Sequence, residues 1–64
     1  MLMEGYTQVA GCKNGNCPKV FVKNGRAYIQ GTPDTSGDFN PPDGEALVSI
    51  PLDILREAAK EVLA

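Results

Sequence analysis

Histidine and tryptophan are absent from this chain, and its only aromatic residues are two tyrosines and two phenylalanines. Without histidine, the commonest general base and the commonest metal ligand are gone. No nucleophile stands in an evident pairing with a base, and no glycine-rich phosphate loop precedes a helix. These absences point to a non-catalytic protein that carries no cofactor. No stretch approaches the roughly 18 apolar residues that a membrane-crossing helix requires. The opening Met1-Leu-Met-Glu4 lacks the basic start and long apolar run of a secretory signal. The expected location is therefore the cytoplasm, with no membrane partner. The 64 residues allow one domain, expected to span 1–64. A chain this short buries only about 60% of its unfolded surface, so its core commonly needs a staple or a partner.

Cysteine is scarce as well. Cys12 and Cys17 flank the turn-forming Lys-Asn-Gly-Asn, and three readings of them stand. They are a disulfide, which is unusual in the cytoplasm. They are two free thiols packed at a loop base. Or they are half of a zinc site, completed to four thiolates by the same two residues of a second chain.

Charge is nearly balanced in number but not in place. The net charge is −2, yet residues 1–31 set Lys13, Lys19, Lys23 and Arg26 against Glu4, for +3. Residues 32–64 set Arg56 and Lys60 against Asp34, Asp38, Asp43, Glu45, Asp53, Glu57 and Glu61, for −5.

What is present is organised around Lys19 to Gln30. Asn24-Gly25 between two β-branched and aromatic runs is a strong hairpin signal, because a type I′ turn needs φ > 0 at both central residues. A two-residue turn pairs Lys23 with Arg26, Val22 with Ala27, Phe21 with Tyr28, Val20 with Ile29 and Lys19 with Gln30. Alternation puts Val20, Val22, Ala27 and Ile29 on one face, expected to be the core side. The other face carries Phe21 and Tyr28 among Lys19, Lys23 and Arg26. That face is either covered by the rest of the chain or is an interaction surface. Aromatic rings and arginine suit a protein interface, built with a partner protein or a second copy. The same residues resemble a single-strand nucleic-acid platform, but an acidic chain with few cations argues against nucleic acid.

Around the hairpin, Tyr6–Ala10 reads as an edge strand and 11–18 as a tight loop. Residues 31–44 form a long Pro, Gly and Asp loop in which Phe39 is expected to pin the chain down. Its Asp34, Ser36, Asp38, Asn40 and Glu45 match an EF-hand count. However, Phe39 stands where that loop needs glycine, and prolines follow, so a solvated loop is expected. Glu45–Ile50 reads as a further strand of the same sheet, nearly all apolar and so central or covered on both faces. Pro51 suits the first turn of a helix. Residues 52–63 follow as an amphipathic helix with Leu52, Leu55, Ala59 and Val62 as its buried stripe, widened by Ile54, Ala58 and Leu63. Asp53 with Arg56, and Glu57 with Lys60, are spaced to pair on its polar face. The expected fold is α+β: a small antiparallel sheet of three to four strands around a central hairpin, with one C-terminal helix.

Gly15-Asn16-Cys17, the Val20–Val22 strand, the hairpin over Gly25–Gln30, Gly44–Ile50 and Leu52–Arg56 together resemble a family in order and type. It is a family of small actinobacterial proteins with a domain of unknown function, encoded beside helix-turn-helix regulators. Ile29-Gln30-Gly31 and Ile54-Leu55 differ from that family's usual residues. The resemblance implies a partner that modulates a transcription regulator. Val48–Leu55, a strand, Ile-Pro and a short helix, is also similar to swapped-hairpin antitoxin transcription factors. That likeness implies nucleic-acid binding through Lys23 and Arg26.

Overall fold

The computed structural model describes residues 5–13 and 15–64. Asn24 has φ 52° and Gly25 φ 77°, the paired left-handed geometry that matches the twist of two adjoining strands. The hairpin it closes joins β2 (Lys19–Lys23) to β3 (Arg26–Gln30). Their register is the expected one, from Lys23 opposite Arg26 to Lys19 opposite Gln30. β1 (Thr7–Gly11) adds antiparallel to β2, giving the order β1-β2-β3 with β1 at an edge. The β1 register slips between Gln8 and Ala10. This bulge at Val9 lets both Val9 and Ala10 reach the core.

The chain then leaves this sheet. Residues 45–50 were expected to form a long covered strand; only β5 (Val48–Ser49) is extended, and it pairs with β4 (Thr32–Pro33) in a separate two-stranded ribbon. All four residues of the ribbon are exposed. Pro33 has no N–H to offer a longer ladder, and the ribbon starts one residue after β3 at Gly31. A Cβ there would collide with the Ser49 carbonyl, so only glycine lets the returning strand approach. Within the long loop, Asp34 accepts hydrogen bonds from Ser36 N and Oγ at 3.3 and 2.9 Å, and Ser36 Oγ accepts from Asp38 N at 3.1 Å. The Asp34 carboxylate serves a local turn. Phe39 is 66% exposed and pins nothing.

Helix α1 (Leu52–Leu63) begins at Pro51, whose carbonyl accepts from Ile54 N and Leu55 N. Asp53 in the first turn and Lys60 in the last complement its dipole. The helix lies across β1 and β2, and the core is small: Ala10, Val20 and Ala58 are buried, with Val9, Ile50 and Ile54 packed around them.

The sector turned inward is therefore that of Ile54 and Ala58. The expected stripe faces out, with Leu52 at 66%, Leu55 at 51% and Val62 at 62% exposure. The apolar arc of α1 spans about half its circumference, at 100° per residue, so several rotations bury apolar surface equally. Two features choose among them. The small Ala10 and Ala58 allow close approach of helix and sheet, and Glu57 Oε1 accepts from Gly11 N at 3.3 Å. Glu57, expected to serve a pair along the helix, thus ties α1 to the end of β1. The hairpin's apolar face is only half covered in consequence: Val20 is buried and Val22 partly so, while Ala27 and Ile29 on β3 stay exposed.

Candidate interaction face

The face of the sheet turned away from α1 carries the aromatic residues. Phe21 and Tyr28 sit opposite each other across the hairpin, and Tyr6, just before β1, completes a cluster. Its ring stands edge-to-face against Tyr28 at 5.0 Å and against Phe21 at 6.5 Å. Such T-shaped pairs align ring edges with ring faces and add stability beyond burial. Lys23 Nζ lies 4.6 Å from the centre of the Tyr6 ring, within cation–π range. Tyr6 was not among the expected site residues. The signal was available: extending the β1–β2 register one residue beyond Thr7–Val22 sets Tyr6 opposite Lys23.

The five residues expected on this face lie on one side of the hairpin by its register, but they differ in exposure. Arg26 and Tyr28 are exposed, and Phe21 and Lys23 are half-buried. Lys23 and Arg26 are directly opposite, an unfavourable like-charge pair, which Lys23 eases by turning to Tyr6. Lys19 lies on the same side of β2 but is covered, so it is not an exposed part of the face. It is only 8% exposed, and its amine donates to the Gly15 carbonyl at 3.0 Å and the Cys17 carbonyl at 3.4 Å. Burying an ammonium requires such partners, and the neighbouring loop provides them.

That loop is closed by a disulfide between Cys12 and Cys17, with Cα atoms 6.2 Å apart. Of the readings of this pair, the disulfide is the one the structure shows; disulfide sulfurs are not the thiolates a zinc site needs. Among the described residues no group of three or more His, Cys, Asp or Glu side chains is arranged to hold a metal. Side chains from the strands lace the loop down. Gln30 Nε2 donates to the Cys17 carbonyl at 3.1 Å, and Gln8 Nε2 lies 2.8 Å from the Cys12 carbonyl. The loop is thereby fixed to the outer strands, at the end of the sheet far from the hairpin turn.

On the helix side an open cleft of about 620 Å³ runs between the hairpin tip and the end of α1, lined by Val22, Ala27, Arg26 and Val62 among others. No family model, curated protein or solved structure matches the chain. Among the described residues no helix is long and apolar enough to cross a membrane.

Proposed function

We propose that this protein is a non-catalytic interaction module that docks on a transcription regulator through the aromatic and cationic face of its hairpin. The observation that carries the reading is the ring cluster of Tyr6, Phe21 and Tyr28, edged by Lys23 and Arg26 on the face turned away from the helix. Rigid, mutually braced rings with an exposed tyrosine and arginine have the composition of interface hot spots. They offer area at low entropic cost, while the cations steer an acidic surface into place. The partner surface is accordingly acidic and apolar. The order of motifs shared with proteins encoded beside helix-turn-helix regulators suggests what kind of partner that is. Edge-to-face rings present less open ring surface than a base-stacking platform needs, so the nucleic-acid reading stands second.

The test uses Arg26→Glu with Tyr28→Ser, both at exposed positions. Co-purification and calorimetry against a neighbouring-gene regulator should show binding by the native chain and at least a tenfold loss in the variant, about 1.4 kcal/mol or more. Circular dichroism should show an unchanged fold. Unchanged affinity would remove this face from the interaction, and binding of single-stranded nucleic acid by the native chain would replace the reading.

A further inference from the structure

The two ends of the disulfide lie in unlike surroundings. Cys12, directly after β1, is exposed, whereas Cys17, just before β2, is half-buried. Around Cys17 the surroundings favour negative charge on sulfur. Its Sγ accepts from Cys12 N at 3.2 Å, and such a hydrogen bond strengthens when the sulfur becomes a thiolate. The Lys19 ammonium is fixed against the carbonyl of the same residue at 3.4 Å, and a charge so deeply covered is little screened by water. Around Cys12 the balance is the opposite. Glu57 Oε1 accepts at 3.3 Å from the N–H of Gly11, the residue before it. Glu61 lines the same hollow, against the single cation of Lys13. Gln8 and Gln30 reach the two cysteine carbonyls but bring no charge. Positive charge thus stands at the Cys17 end and net negative charge at the Cys12 end.

Exchange between a disulfide and a thiolate is directional in the same two respects. The incoming thiolate attacks the sulfur it can reach, and the bond breaks faster when the departing sulfur belongs to the more acidic thiol. A thiol becomes more acidic beside lysine and under an N–H donor, and less acidic beside carboxylates. Access and leaving ability therefore select one direction here.

We propose that the Cys12–Cys17 bond is an exchange site for thiols of low mass, with Cys12 the sulfur attacked and Cys17 the leaving group. An external thiolate bonds to Cys12 Sγ as the Cys12–Cys17 bond breaks, and the electron pair leaves on Cys17 Sγ under the Cys12 N–H. A second external thiolate then attacks the external sulfur of this mixed disulfide. Cys12 departs as a thiolate that takes its proton from water, and an external disulfide is released. Two external thiols are oxidised by two electrons in all, and the protein disulfide is reduced by the same two. The reverse sequence, starting from an external disulfide, closes the ring again. Lys19 touches neither reacting sulfur in this scheme; it is a positioning residue that acts through its charge. The site lies at the end of the sheet away from the hairpin turn, so the exchange does not rest on the regulator contact proposed above.

The test mixes the oxidised full chain with glutathione near neutral pH and stops the reaction with excess N-ethylmaleimide, which caps every free thiol. Trypsin cuts after Lys13, between the two cysteines, so mass spectrometry reads each on its own peptide. Glutathione on Cys12 with maleimide on Cys17 should exceed the reverse pattern by about tenfold or more. In the urea-unfolded chain, where both sulfurs stand in solvent, the ratio should fall to within about threefold of unity. Lys19→Met, which removes the charge beside Cys17, should bring the folded chain to a similar ratio. Glu57→Gln keeps an acceptor for Gly11 N but removes the carboxylate, and should lower the ratio by about twofold or more. If Lys19→Met does not fold by circular dichroism, Glu57→Gln and the comparison with urea decide. Equal labelling of the two peptides in the native protein overturns the proposal. So does a folded chain that forms no mixed disulfide where the unfolded chain does, and so does a preference that persists in urea or ignores the substitutions.

Discussion

Opening the Cys12–Cys17 ring is the perturbation whose cost can be worked most directly. The bond spans five positions of sequence, and closing so short a ring removes about 2 kcal/mol of chain entropy from the unfolded state. A domain of this size has on the order of 3–10 kcal/mol of stability in all. At about 8 °C per kcal/mol for the smallest domains, replacing both cysteines by serine should lower the melting temperature by roughly 15 °C. Adding reductant to the native protein should do the same. The structure also says what happens next. Lys19 is buried because the loop turns the Gly15 and Cys17 carbonyls toward its amine. Lys19→Met keeps the apolar stem and removes the donors. In the oxidised protein it should cost about 1.5–3 kcal/mol, the range for hydrogen bonds to a charged group. In the serine variant the unclosed loop no longer holds those carbonyls in place, so the same substitution should cost less than half as much. Thermal unfolding followed by far-ultraviolet circular dichroism gives all four corners of the cycle. A serine variant melting within about 3 °C of the native protein, well under 1 kcal/mol, would refute the staple. Additive costs would refute the link between the ring and the buried lysine.

Replacing Asn24-Gly25 by Ala-Ala forces two alanines to φ of 52° and 77°. At roughly 1–2 kcal/mol each, the midpoint of urea unfolding should fall by the equivalent of about 2–4 kcal/mol, and an unchanged midpoint would contradict the turn. Ala58→Leu should cost about 1–3 kcal/mol by overpacking against Ala10 and Val20. Ala59→Leu, one residue on and exposed, should change the stability of dilute protein by less than about 0.5 kcal/mol. The reverse order of effects would mean that the other sector of α1 faces the sheet.

The hairpin, its register and the helix were determined by local sequence. Asn24-Gly25 has few other conformations available between two strands, and a two-residue turn leaves no freedom in the pairs it closes. Likewise, Pro51 followed by an apolar arc at helical spacing defines where α1 begins. The alternation that put Phe21 and Tyr28 together on one face is of the same kind, since a pleated strand has only two sides. Other outcomes depended on which surfaces meet, and local pattern is silent on that. The wide apolar arc of α1 permitted several rotations. The small residues at 10 and 58, together with the Glu57 bond to Gly11, selected the one that buries Ile54 and Ala58 and leaves Leu55 and Val62 outside. Lys19 resembled its neighbours Lys23 and Arg26 along the strand. Only the folded disulfide loop, reaching over the end of the sheet, turned it from a surface cation into a buried donor. Residues 45–50 alternate like a strand of the main sheet, but a ladder needs a free edge within reach. With the chain turned back at Gly31, what they met was the short, proline-limited edge of Thr32–Pro33.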